Sequence, residues 1–394
     1  MKSAFLNDLG IVCALGSGRD EVAAAMFADD NPGGLSLSDA FTPGRMLAVG
    51  EVAAQLPDLS ALQVKLRGRN NALLMHALGQ IRPAVEQAIS RYGRDRVAVV
   101  IGTSTSGVGE SENAQRYWQE HRRWPSDFDY YQQEMGTAAQ FVAHVLGTRG
   151  PAHVISTACS SSAKALASAA RLIKAGLADA VITGGADSLC RFTIAGFRSL
   201  ESVSDTRCNP LSANRRGINI GEGAALFLMT ADPGPVRLAG WGESSDAHHM
   251  SAPDPSGQGA AEVVRQALQR AALHAADIDY INLHGTATPQ NDAMEAKVVA
   301  EIFGADTPVS STKPLTGHAL GAAGAIEAGL SWLTLVGNPN GFLPPHWWDR
   351  QADPDLPSLH LVQPGATAAR PLRHVLSQSF AFGGSNAALL LASS

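Results

Sequence analysis

His153-Val154-Ile155-Ser156-Thr157-Ala158-Cys159-Ser160-Ser161-Ser162-Ala163 is the stretch from which the whole chain can be read. A short β-branched run ends at Ile155 and passes into a turn of small residues. Apolar positions then recur at Ala163, Leu166, Ala167, Ala170, Ile173 and Leu177. That spacing is the period of an amphipathic helix. Strand, tight turn and helix together put the Cys159 sulfur at a helix N-terminus. Unpaired N–H groups there favour an anion, so the thiol is expected to ionise more readily than a free cysteine, and the thiolate is the nucleophilic form. Cysteines buried without a partner more often act as small apolar residues. Cys13, Cys190 and Cys208 read that way. Cys159 is set apart by three motifs further along the chain.

The strand-like Tyr280-Ile281-Asn282-Leu283 runs into His284-Gly285-Thr286-Ala287-Thr288-Pro289. Likewise Val309-Ser310-Ser311-Thr312 runs into Lys313-Pro314-Leu315-Thr316-Gly317-His318 and then a small-residue run over 319–325. Loops at strand ends are where α/β proteins place chemistry. Small neighbours let a substrate approach the backbone. With 12 histidines in the chain, a single one is ordinarily structural or exposed. His121, His248, His249 and His346 are read so, while His284 and His318 are singled out by their loops. A fourth element, Ser379-Phe380-Ala381-Phe382-Gly383-Gly384-Ser385-Asn386, precedes a terminal apolar strand over 387–391. Two aromatics before a glycine pair describe a loop whose bulky side chain can swing.

Taken in order, Cys159, His284, Lys313, His318 and the Phe-Ala-Phe-Gly-Gly loop resemble the β-ketoacyl-acyl-carrier-protein synthases, elongating condensing enzymes of the thiolase superfamily, over nearly the whole chain. Thiolases carry a second cysteine where this chain has Phe380-Ala381-Phe382-Gly383. Initiating synthases pair cysteine with His and Asn, whereas both downstream loops here carry His. Chain-length factors lack the nucleophilic cysteine that this chain keeps. The resemblance implies an α/β fold, a five-layered αβαβα sandwich of two duplicated halves. The turn-rich Asp232-Pro233-Gly234-Pro235 divides them. Residues 1–232 would carry the nucleophile and 233–394 the two histidine loops.

The same resemblance implies roles. Cys159 would take an acyl chain from acyl carrier protein, with the backbone N–H groups of Cys159 and Phe382 as oxyanion hole. His284 and His318 would stabilise the enolate left when malonyl-acyl carrier protein loses carbon dioxide. Lys313 would pair with Glu295 and order the histidine loops. Thr286 and Thr288 would hold the phosphopantetheine arm, Phe382 would gate the pocket, and Val108 would line its end. An acidic carrier calls for a basic docking face. Lys65, Arg67 and Arg69 form one candidate patch, and Arg122 with Arg123 another. Neither cofactor nor metal is implied. A dimer is, either of identical chains or with a chain-length-factor-like subunit.

Departures bear on the substrate. Ser212-Ala213-Asn214-Arg215-Arg216-Gly217 stands where fatty-acid enzymes read Asp-x-x-Arg-Asp-Gly. Ala381 replaces a Gly in the gating loop, and Asn291 replaces a Gly before Asp292. With the Cys and His motifs, these features resemble the synthases of aryl-polyene pigment clusters. The alternative is a scaffold subunit that shapes a partner's pocket. Retention of Cys159, both histidines and Lys313 speaks against it.

Composition is consistent with these expectations. The 394 residues are 45% apolar and 17% charged, with 39 glycines, enough for a large core. Four scattered cysteines suit a reducing cytoplasm rather than a disulfide framework. The sequence has no C-x-x-C or H-E-x-x-H metal pattern. Met1-Lys2-Ser3-Ala4-Phe5-Leu6-Asn7-Asp8 does not read as a signal peptide, and no apolar run is long enough to span a bilayer. A net charge of −6 argues against broad nucleic-acid binding. Strand-like runs at 97–101, 180–183 and 224–229 alternate with helical patterns such as 262–275, as in α/β layers. The Pro-rich segment 339–358 reads as a surface excursion.

Overall fold

The computed structural model of the chain describes residues 3–30 and 32–394. The main strands are β1 (Phe5–Cys13), β2 (Val97–Gly102), β3 (Ala152–Ile155), β4 (Ala180–Asp187), β5 (Gly223–Thr230), β6 (Val236–Ser245), β7 (Tyr280–Asn282), β8 (Pro308–Ser310), β9 (His360–Leu361), β10 (His374–Ala381) and β11 (Ser385–Ser393). The main helices are α1 (Arg69–Tyr92), α2 (Val108–His121), α3 (Thr137–Leu146), α4 (Ser161–Lys174), α5 (Arg191–Ser199), α6 (Gln258–Ala271), α7 (Pro289–Phe303) and α8 (Ala323–Leu335).

The strands lie in one mixed sheet, ordered β9-β8-β7-β10-β11-β6-β1-β5-β4-β2-β3. One half reads β3-β2-β4-β5-β1 and the other β8-β7-β10-β11-β6, the same order counted from each half's first strand. The halves meet in a short antiparallel pairing of β1 with β6, Phe5 opposite Arg237 and Leu6 opposite Val236.

Strand periodicity builds the layers. Side chains alternate across a strand, so a strand covered on both faces is apolar throughout. In β2, Ala98 and Val100 enter the central core, while Val97, Val99 and Ile101 enter the outer core of the first half. In β11, Ala387, Leu389 and Leu391 face the centre, and Ala388, Leu390 and Ala392 face the outer core of the second half. The centre holds α4 and α8 through Leu166, Ala170, Ile326 and Leu330. Helices α1 and α3 cover one outer face, α6 and α7 the other. This is the expected sandwich of helix, sheet, helix pair, sheet and helix.

Helix α4 ends at Lys174, so Leu177 lies beyond it and is exposed rather than on its apolar face. The helix expected over 262–275 runs Gln258–Ala271 and stops where Ala272 turns left-handed, φ 54°. The Pro-rich segment is not wholly superficial. His346 is buried, accepting from Ser311 N–H at 3.1 Å and lying 3.0 Å from the Pro210 carbonyl. No helix among the described residues is long and apolar enough to cross a membrane.

Close approach at the centre demands small residues. A Cβ on Gly102 would fall 2.3 Å from the Ser162 Cα and N, just inside α4. Gly102→Ala is therefore expected to cost about 1–3 kcal/mol in urea unfolding, as overpacking against backbone does. Gly79→Ala in α1, where a Cβ would meet nothing within 4 Å, should instead gain about 0.5–1 kcal/mol. Equal effects at the two sites would refute the packing argument.

Candidate active site

Between β3 and α4 the chain turns through Ala158, left-handed at φ 51°. Such a conformation in a non-glycine residue costs on the order of 1–3 kcal/mol and persists only when its surroundings enforce it. Ser161 Oγ enforces it by accepting from Thr157 N–H at 2.8 Å and donating to the Ala158 carbonyl at 2.6 Å. Cys159 is thereby held two residues before the first turn of α4 and buried. Burial pushes its thiol up to about 11, against the opposing pull of the Lys313 charge and of the Phe382 and Cys159 backbone N–H groups. The readier ionisation expected from the helix N-terminus is thus overturned: desolvation outweighs the backbone dipoles.

The second half brings its two histidine loops to this sulfur. His318 lies in a bridge with Ile220, donating its N–H to Asn219 O at 2.7 Å and accepting from Gly221 N–H at 2.9 Å. Its Nε2 stands 3.0 Å from Cys159 Sγ. The His284 ring is edge-on to it, centroids 5.4 Å apart at 83°. Burial first, then the nearby Lys313 charge, hold both imidazoles well below the usual histidine range. Lys313 lies 3.4 Å from His284 Nδ1, so that nitrogen accepts and the proton resides on Nε2. His318 Nδ1 is buried without a hydrogen-bond partner among the described residues. The contact with Cys159 Sγ is therefore the one hydrogen bond its ring makes among the described residues, and a proton on Nε2 would make His318, like His284, an Nε2–H donor.

The ion pair at the site differs from the expected one. Lys313 pairs with Glu327 on α8 at 2.5 Å and donates to the His284 carbonyl. Glu295 instead accepts from the His284 and Gly285 N–H groups at 2.6 and 2.7 Å. Burial raises its carboxyl to about 8. Glu327 was legible in principle, as the only charged residue in a buried, mostly apolar helix. Asp292 carries no signal in the sequence beyond its place after Asn291. It accepts from Leu211 N–H at 2.8 Å and Ala287 N–H at 3.2 Å, tying the loop before β5 to the one after β7.

The remaining expected residues fall in two groups. Thr286, Thr288 and Phe382 line a cavity of about 310 Å³ with Cys159, His284 and His318. The two threonine hydroxyls are 2.9 Å apart. Phe382 sits against Phe197 of α5, centroids 5.4 Å apart. Val108 lies elsewhere, in an open groove with Trp124, Phe128, Tyr130 and Phe192. Arg69 is committed to the buried Glu222, its Nε 2.7 Å from Oε2, which leaves it poorly placed as a docking charge. Arg67 donates to the Leu62 carbonyl, Lys65 lies over the Tyr131 ring, and Arg122 over the Trp118 ring. Arg123 is exposed. Donor atoms of Cys159, His284 and His318 lie within 4.8 Å of one another, a spacing a soft metal ion could also use.

Comparison with known proteins identifies the family. Residues 76–233 match the family model described as "Beta-ketoacyl synthase, N-terminal domain", and residues 236–346 match "Beta-ketoacyl synthase, C-terminal domain". The chain is 38% identical over 265 residues to 3-oxoacyl-[acyl-carrier-protein] synthase 2 of Rhizobium meliloti, spanning 62% of this chain and 61% of that protein. It is 31% identical over 345 residues to the Staphylococcus aureus protein of the same name, spanning 82% and 84%. It superposes with a TM-score of 0.93 and 45% identity on a ketosynthase from Xenorhabdus doucetiae solved in complex with its chain length factor, covering 100% of this chain and 98% of that one.

Removing one partner of a buried ion pair strands the other charge. Glu327→Gln is expected to destabilise by about 3–5 kcal/mol in urea unfolding, and adding Lys313→Met should restore most of the loss. Strictly additive losses would show that the two side chains do not depend on each other.

Proposed function

Because the chain belongs to the β-ketoacyl synthase family, we propose that it condenses a Cys159-bound acyl chain with malonyl-acyl carrier protein. The observation that carries this reading is the meeting of Cys159 Sγ with His318 Nε2 at 3.0 Å, and of the His318 and His284 rings at 5.4 Å, in one cavity.

The chemistry follows from those groups. Cys159 Sγ attacks the acyl thioester carbonyl, and the backbone N–H groups of Cys159 and Phe382 receive the oxyanion. The carbon–sulfur bond to the carrier's pantetheine breaks, and the thiol proton ends on the released pantetheine sulfur. Malonyl-acyl carrier protein then enters along Thr286 and Thr288. Its carboxyl carbon leaves as carbon dioxide, and the electron pair passes to the thioester oxygen as an enolate. The Nε2–H groups of His284 and His318 stabilise that charge, each by about 3–4 kcal/mol. The enolate carbon attacks the acyl-Cys159 carbonyl, the bond to Cys159 Sγ breaks, and a proton from solvent restores the thiol. Lys313 holds His284 in its donor tautomer. Its charge also opposes a cation between the imidazoles, so we read the trio as working without metal or cofactor.

The partner we assign is a chain-length-factor-like subunit. Identity of 45% over the whole chain with a ketosynthase held by its chain length factor supports it, against 38% and 31% over shorter spans with the Rhizobium meliloti and Staphylococcus aureus synthases. The substrate we assign is an unsaturated, aryl-capped polyenoyl chain on an acidic carrier, in the cytoplasm. The departures at 212–217 and Ala381 motivate it, and the rings of Phe197, Phe380 and Phe382 in the cavity offer π faces to such a chain.

Intact mass spectrometry after mixing with saturated, enoyl and aryl-enoyl carrier proteins is expected to show an acyl adduct that Cys159→Ala abolishes, greatest for aryl-enoyl. Preference for saturated donors would sink the polyene assignment, and no adduct with any donor, alone or with a partner subunit, would sink the enzymatic one.

The histidines also set a pH dependence. A base whose affinity for protons is lowered stays neutral as pH falls past 6.5 and is lost only as pH drops through its lowered value. The imidazoles should therefore contribute no loss of condensation between roughly pH 8 and pH 6, and an inflection near 8 would belong to the Glu295 carboxyl that holds the His284 loop. A half-loss centred near 6.5 would show that the imidazoles titrate as free histidines.

A further inference from the structure

We propose that Asp187 is a positioning residue for His318, tying the histidine loop of the second half to the loop 103–106 of the first. The inference rests on the condensing reading of the site and names a residue that touches no substrate in it.

Asp187 ends β4 and is fully buried. Its Oδ1 accepts from Thr103 Oγ1 at 2.6 Å, Ser104 N–H at 2.9 Å, Thr105 N–H at 2.8 Å and Thr105 Oγ1 at 2.8 Å. Its Oδ2 accepts from Ser104 Oγ at 2.7 Å and, across the join between the halves, from Gly321 N–H at 2.6 Å. The same Gly321 N–H reaches Ser104 Oγ at 3.0 Å. All these partners are backbone N–H groups or hydroxyls. None is a cation, so the carboxylate organises chain rather than balancing charge. The contact is close enough to require glycine: a Cβ on Gly321 would lie 2.7 Å from Ser104 N and 2.8 Å from Asp187 Oδ2.

Gly321 is three residues beyond His318, and Leu320 between them is left-handed at φ 48°. That strained turn needs an external hold, and the Gly321–Asp187 hydrogen bond supplies it. The His318 ring has no second anchor of its own among the described residues, because Nδ1 is unpartnered. The main chain is pinned before the turn by Asn219 and Gly221 and after it by Asp187. The placement of Nε2 against Cys159 therefore follows from the backbone that Asp187 fixes. A displacement of about 1 Å in such a group can cost on the order of 100-fold in rate.

The test uses the full chain in its active assembly, scoring acyl-Cys159 formation by intact mass separately from malonyl decarboxylation and condensation. Asp187→Asn puts an N–H₂ or a single acceptor where two oxygens are needed. It should acylate within about threefold of the parent and lose condensation by on the order of 100-fold, in kcat rather than KM. Leu320→Gly added to it removes the conformational strain and should recover at least about tenfold. If Asp187→Asn does not fold, Ser104→Ala, which deletes only the hydroxyl shared with Gly321, should show the same selective loss in smaller measure. Equal loss of both half-reactions, no loss of either, or no recovery with Leu320→Gly would overturn the proposal. A parent protein that neither acylates nor condenses would instead overturn the condensing reading.

Discussion

Everything at the centre depends on two helix N-termini from opposite halves approaching to a separation that only Gly, Ala and Ser permit. A Cβ on Gly324 would fall 2.9 Å from the Cβ of Ala163. Ala325 N–H instead donates to Ser162 Oγ at 2.8 Å, so α8 is capped by a hydroxyl of α4. Cys159 precedes one of these helices and His318 the other. Interiors are close-packed and transmit small displacements, so the 3.0 Å between Sγ and Nε2 rests on this helix packing together with the hydrogen bonds that pin the His318 loop.

Burial then decides the electrostatics. The same desolvation that raises the Cys159 thiol holds both histidines neutral. It penalises whichever form is charged. Lys313 at this depth is held by an ion pair with Glu327 and by a hydrogen bond to the His284 carbonyl. Its hydrogen bond to His284 Nδ1 makes it an orienting group, with no direct approach to the sulfur required.

Three carboxylates do the bracing. Glu295 holds the His284 loop, Asp292 joins that loop to 211, and Asp187 joins the His318 loop to 103–105. Each accepts backbone N–H groups at points where neighbouring residues, Ala287 at φ 62° and Leu320 at φ 48°, are left-handed. Strain beside the site is thus offset by hydrogen bonds to side chains held on rigid strand ends and helices.

By itself the sequence determined the layered α/β fold, the cysteine turn and the two histidine loops, because each is a local pattern: a strand that ends in small residues, then a helix or a glycine-rich turn. The motifs at Cys159, His284, Lys313, His318 and Phe382 could be read without knowing what lies beside them. Only the tertiary structure decided which carboxylate serves which loop. Lys313 meets Glu327 rather than Glu295, and Arg69 is committed to Glu222, because pairing depends on which strand ends converge. The protonation of Cys159 was likewise decided in three dimensions. A helix N-terminus can be read from sequence spacing, but the desolvation that outweighs it comes from layers contributed by both halves.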